Sequence, residues 1–149
     1  MRLAVLYLHV VGVVVWVGGL AYQAHVLAPA ARRGAVTAFG DAARRARPVT
    51  WTAIGIVVLT GFYNVTQLGN LQRVMDTGVG LLLAGKLILV ILAVALTGQR
   101  DFAQLTLLGA ALASGRDTAE ALRAIARLDR SVLVLALVII YLGLAVSRA

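Results

Sequence analysis

Four long apolar segments are the feature that most limits what this chain can fold into. They cover about residues 3–27, 49–65, 79–97 and 131–147, and each falls within the length range of a transmembrane helix. Only 13% of the residues are charged and 61% are hydrophobic, far from the roughly 25% charge of soluble domains. The sequence therefore predicts an all-α integral membrane protein, a four-helix bundle that forms one domain over residues 1–149.

Arginines are concentrated in two of the three connections between these segments. The first and third connections are rich in arginine, whereas the second carries Arg73 alone. Basic loops stay in the cytoplasm, so we expect both termini outside a multi-pass protein of the inner (plasma) membrane. The net charge of +8 then faces anionic headgroups of the lipid bilayer, and nucleic acid is not an expected partner. A homo-oligomer is left open.

Prolines and helical spacing predict how the first connection is built. Pro29 is expected to end the first helix, and Pro48 suits the first turn of the second. Between them, Val36, Phe39 and Ala43 recur at helical spacing and are flanked by arginines. This pattern predicts a short helix lying in the cytoplasmic interface.

The third connection also has helix signals. Gly98 is a natural C-cap for the third helix, and residues 101–113 are apolar but too short to span, so we expect them to pack on the bundle or lie in the interface. Asp117 and Glu120 resemble a capping box. They predict a cytoplasmic helix that runs straight into the fourth span.

Polar residues from all four segments fall at one depth. The helices that carry His9 and Lys86 start from the same side of the membrane. At about 1.5 Å per residue, both side chains lie roughly 9 to 11 Å below that boundary. Thr60, Tyr63 and Tyr141 come close to that level. Such a layer is typical of a site built between facing helices.

Each of these residues also has a plainer interpretation. His9 would then form only an interhelical hydrogen bond, Lys86 would extend to the outer interface, and Tyr63 and Tyr141 would belong to an aromatic belt. Trp16, near the middle of its helix, indicates packing or contact with a ligand. Six glycines either leave room for a flat macrocycle or serve close helix packing: Gly12, Gly18, Gly19, Gly55, Gly61 and Gly85.

The segment HVVGVVVWVGGLAYQAHVLAP resembles the first helix of CopD-like (copper resistance protein D) membrane domains and of the related HemJ-type protoporphyrinogen oxidases. Both have a His, then a Trp seven residues later and a pair of small residues, here His9, Trp16, Gly18 and Gly19. The strings LTGFYN, GKLILVIL and RLDRSVLVLALVII are similar to the later helices. The resemblance thus covers most of the chain, and WVGGL and Pro29 favour the CopD branch.

The two branches imply different functions. The HemJ resemblance implies that His9 and Lys86 ligate the iron of haem b, with Trp16, Tyr63 and Tyr141 around the cofactor. The CopD resemblance implies copper transport or copper handling.

Ligand chemistry decides which of these two functions we rank first. Cu(I) prefers sulfur ligands, whereas the chain has no Cys and two Met. We therefore rank haem b first, with electron transfer to or from quinone or another redox protein. Copper handling that involves His9, His25 and Met75 is the alternative, and a structural or assembly subunit is the third. Whether the protein is an oxidoreductase of HemJ type stays open.

Overall fold

Four long helices make up the computed structural model, which describes residues 1–67 and 79–148. They are α1, Arg2–Arg32; α2, Val36–Thr66; α3, Gly80–Ala113; and α4, Ala119–Arg148. All four are long and apolar enough to cross a membrane. The all-α, four-helix membrane fold predicted from the sequence is therefore confirmed.

Helix α1 continues past the expected break at Pro29. A π-helical turn, Gln23–Leu27, leads into Ala28–Arg32, and Pro29 lies in the first turn of that short segment. Proline removes one helical N–H donor, and here it follows a π-helical turn, where the i→i−4 hydrogen-bond pattern is already interrupted. The prediction that Pro29 ends the helix is wrong: the chain turns at Gly34, whose φ is 118°.

Helix α2 joins two elements that the sequence analysis separated. It runs without interruption from Val36 to Thr66, with Pro48 inside it rather than in a first turn. Phe39 and Ala43 are buried within the bundle. The predicted interfacial helix is therefore the first half of α2, and its apolar face meets other helices instead of headgroups.

Helix α3 is continuous in the same way. Gly98 keeps a right-handed helical φ of −61° and leads into a second π-helical turn, Gln99–Gln104, and then Leu105–Ala113. The C-cap expected at Gly98 is wrong. Asp117 accepts a hydrogen bond of 2.9 Å from the Ala119 N–H, and α4 runs straight into the fourth span as predicted.

Packing is unequal along the bundle. We call the end formed by the α1–α2 and α3–α4 turns the basic end, and the opposite end the terminal end. One buried cluster fills the basic end and a second, around Trp16, lies near the middle. By contrast, residues 2–11, 58–67, 81–92 and 137–145 include no buried residue. Helix α1 packs mainly along α2 and α3 along α4, so the terminal half is only loosely filled.

Candidate functional site

His9 is held in one orientation by a threonine on the neighbouring helix. Its Nδ1 lies 2.8 Å from the Thr60 hydroxyl oxygen, and that hydroxyl donates its own hydrogen to the Ile56 carbonyl. A hydroxyl has one hydrogen, so towards His9 it acts as an acceptor. We infer that the imidazole carries its proton on Nδ1, which leaves the lone pair of Nε2 free.

Glycines make room for both ionisable side chains of this layer. A Cβ placed on Gly61 would lie 3.5 Å from His9 Cε1, and one on Gly143 would lie 3.2 Å from Lys86 Nζ. Both His9 and Lys86 are half-buried, and they interact electrostatically. The structure thus brings His9 and Lys86 to one level, with α1, α2, α3 and α4 all contributing. We call His9, Thr60, Gly61, Lys86 and Gly143 the His–Lys layer.

The aromatic residues of the predicted site are distributed differently. Tyr141 is 71% exposed, so it lies on the outside of the bundle and not between the helices. Tyr63 is partly buried near the end of α2. Trp16 is 5% exposed, and within residues 1–67 and 79–148 its indole Nε1 has no hydrogen-bond partner. It lies seven residues, and thus about 10 Å, further along α1 from His9.

The glycines fall into two groups. Gly12 is at a close contact between α1 and α2, where an added Cβ would come within 2.9 Å of Val57 Cγ2 and 3.2 Å of the Ala53 carbonyl oxygen. At Gly18, Gly19, Gly55 and Gly85 an added Cβ would meet nothing within 4 Å. The second group therefore adjoins open space. Two of its members, Gly18 and Gly19, face the exterior.

A buried ionic cluster at the basic end was not anticipated from the sequence. Arg100, Asp101 and Asp129 are at most 3% exposed. Arg100 NH1 lies 2.6 Å from Asp101 Oδ1, and its Nε lies 2.6 Å from Asp129 Oδ1. One guanidinium therefore joins two carboxylates from α3 and α4, away from water.

The other two helices, α1 and α2, complete this cluster, which we call the ionic layer. Gln23 of α1 accepts a hydrogen bond from Arg100 through its side-chain oxygen. On α2, Trp51 Nε1 donates to Asp101 Oδ2 at 3.0 Å, and Arg47 donates to the Asp101 carbonyl oxygen at 2.7 Å. Counting Arg47, two positive charges balance two negative ones, which lowers the cost of burying them.

The ionic layer and the His–Lys layer are in register on all four helices. Four pairs of positions are each 14 residues apart: His9 and Gln23, Gly61 and Arg47, Lys86 and Arg100, and Gly143 and Asp129. Fourteen residues are close to four helical turns, or about 21 Å, so both layers use the same face of each helix. Gln23, Arg100 and Asp101 lie in the two π-helical turns, which re-aim side chains locally.

The sequence reasoning missed this layer because its charges border the predicted spans. The sequence alone suggests solvated loop residues at these positions, because Arg100 and Asp101 follow Gly98, and Asp129 precedes the span that begins at residue 131. Their opposite signs at one level were the available signal. It could be recognised only by comparing the segments of α3 and α4 at the basic end.

Family comparison covers most of this architecture. The family model described as "CopD: Copper resistance protein D" matches residues 40–146, which include most of α2 and the whole of α3. The chain belongs to the CopD family. This confirms the CopD resemblance over residues 40–146 and makes the chain a copper-resistance-related, multi-pass membrane protein whose apolar helices suit a lipid bilayer. No curated protein and no solved structure matched the chain.

The match divides the candidate site of this CopD-family protein. Lys86, Tyr63 and Tyr141 lie within the matched segment, whereas His9 and Trp16 precede it. Among residues 1–67 and 79–148, no group of three His, Asp or Glu side chains is arranged to hold a metal ion. His25 is exposed and its Nδ1 lies 3.0 Å from the Ala21 carbonyl oxygen of its own helix, while Met75 lies outside the described residues.

Proposed function

We propose that this CopD-family protein holds a haem b in the His–Lys layer and transfers electrons within the membrane. The observation that carries the proposal is the contact between His9 Nδ1 and the Thr60 hydroxyl, which orients the ring and makes Nε2 the nitrogen suited to ligate iron. An imidazole fixed by a hydrogen bond at its other nitrogen is the usual form of a histidine ligand. One such axial ligand is enough for haem, whereas a copper site needs several donors.

Two further observations support a large ligand at this level. The helices around the layer carry no buried residue in ranges 2–11, 58–67, 81–92 and 137–145, so an apolar ring would not have to displace a packed core there. Trp16 Nε1 is a buried donor without a partner, and a polar atom of a bound ligand would satisfy it. The donor set therefore fits haem.

Each residue then has a definite task. His9 would hold the haem iron, Thr60 positions the His9 ring, and Lys86 would be a second ligand or a compensating positive charge for acidic groups of the cofactor. Haem supplies one-electron redox chemistry when it is bound. The electron partner is a quinone or another redox protein, and the layer lies in the outer half if both termini are outside the inner membrane.

Copper handling is the second candidate, because family membership favours it. Metal quantification and an absorbance spectrum of the purified full chain separate the two. Iron with a b-type haem spectrum, near one per chain, is the expected result. Copper without haem would reverse the order, and neither metal would favour a structural or assembly role for the His–Lys layer.

A further inference from the structure

Four arginines surround a surface pocket at the basic end, where Arg130 directly follows Asp129 of the ionic layer. The pocket has a volume of about 270 Å³ and is lined by Arg32, Arg123, Ala126, Arg127 and Arg130. This volume is slightly below the range of roughly 300 to 1,000 Å³ found for small-molecule sites. The pocket is therefore large enough for a headgroup-sized ligand.

The charge of this pocket is uncompensated within the part of the chain that the structure describes. The ion pairs found there involve Arg44 and Arg100, and none involves an arginine of the pocket. Arg123, Arg127 and Arg130 follow one another on a single face of α4 at spacings of four and three residues. Like charges so arranged repel one another, and a bound anion would remove that cost.

The depth of the pocket indicates where the anion comes from. Arg130 immediately precedes the apolar run 131–147, and Arg32 is five residues, or about 7.5 Å, beyond the first span. Further along the same face of α4, Val134 and Leu137 are 61% and 63% exposed. A phosphate in the pocket would thus have apolar surface directly below it for acyl chains.

We propose that the four arginines form a binding site for the phosphate of an anionic phospholipid. Arginine pairs with phosphate oxygens through charge-assisted hydrogen bonds, and basic pockets at the ends of membrane helices are suited to such headgroups. The site is distinct from the His–Lys layer, because Arg130 lies 13 residues, or about 20 Å, from Gly143 along α4.

The test uses the purified full chain in detergent, with bound lipid counted by native mass spectrometry. Phosphatidylglycerol is titrated against wild type, against the double variant Arg123→Gln/Arg127→Gln, and against the charge-matched control Arg45→Gln/Arg116→Gln. We expect saturable binding that is roughly 30-fold weaker in the pocket variant and unchanged in the control. Phosphatidylcholine should not compete.

Three results would overturn the proposal. Equal weakening in both double variants would assign the affinity to diffuse surface charge. Absence of a preference for phosphatidylglycerol over phosphatidylcholine would remove the anionic headgroup. Displacement of the lipid by millimolar inorganic phosphate would identify a soluble anion as the ligand. If the double variant does not fold, Arg127→Gln alone should weaken binding about fivefold, and unchanged binding would contradict the site.

Discussion

His9 Nδ1 lies 2.8 Å from the Thr60 hydroxyl oxygen, across the contact between α1 and α2. The same hydroxyl donates to the Ile56 carbonyl, which leaves it only an acceptor role towards the imidazole. The protonation of one ring nitrogen thus follows from a backbone carbonyl one turn earlier on the other helix. A metal ligated by His9 would therefore have to approach from the Nε2 side.

Thr60→Val removes this acceptor while keeping the shape of the side chain. Because partners of ligating histidines typically contribute about 10- to 100-fold to metal affinity, we expect haem retention to fall by that order, with Thr60→Ser restoring it. Haem content after purification, measured by absorbance, checks this. Thr52→Val is the control, since Thr52 is exposed on the same helix, and an equal loss there would contradict a specific role for Thr60.

Gly12→Ala should loosen the contact between α1 and α2. The new Cβ would lie 2.9 Å from Val57 Cγ2 and 3.2 Å from a backbone oxygen, and overpacking of this kind costs about 1–3 kcal/mol. Gly18→Ala on the same helix meets nothing within 4 Å and should leave stability unchanged or slightly higher. Thermal unfolding in detergent measures both, and equal midpoints for the two variants would refute the close contact.

Arg100→Leu should be the most destabilising substitution at the basic end. It would leave the carboxylates of Asp101 and Asp129 buried with no countercharge from Arg100, a change that costs about 3–5 kcal/mol. Arg44→Leu is the control, because its ion pair with Asp41 is more than 50% exposed and contributes at most about 1 kcal/mol. Denaturant titration of the folded protein compares them. A similar free energy of unfolding for both variants would be inconsistent with a buried ionic layer.

Helix number and the common depth of His9 and Lys86 could be predicted from sequence, because both follow from apolar length and a constant rise per residue. The positions of the helix ends could not be predicted in this way. Pro29 and Gly98 usually mark ends, yet here Pro29 follows a π-helical turn and Gly98 keeps a helical φ, so α1 and α3 continue. Tertiary packing of the basic end against Phe39 and Leu108 stabilises these extensions, and local propensity does not contain that information.

The ionic layer needed knowledge of which helices are neighbours. Arg100 and Asp129 are 29 positions apart, and nothing local to either predicts that they meet. The exposure of Tyr141 could not be predicted for a similar reason. Depth in the membrane does not give the direction in which a side chain points around its helix.

Membrane orientation is testable because the chain has no cysteine. Single substitutions Ser114→Cys and Thr66→Cys place a thiol at exposed positions on opposite ends of the bundle. The arginine distribution predicts that an impermeant maleimide labels Thr66→Cys in intact cells and labels Ser114→Cys only after lysis. The reverse pattern would place the basic end outside.

The absorbance spectrum of His9→Ala beside that of His25→Ala tests the haem proposal most directly. Both variants remove one imidazole from α1, but only His9 belongs to the His–Lys layer, while His25 is exposed and bonded to its own helix. We predict a Soret band in wild type and in His25→Ala, and its loss or shift in His9→Ala. An unchanged band in His9→Ala, or none in wild type purified with adequate haem supply, would contradict the proposal.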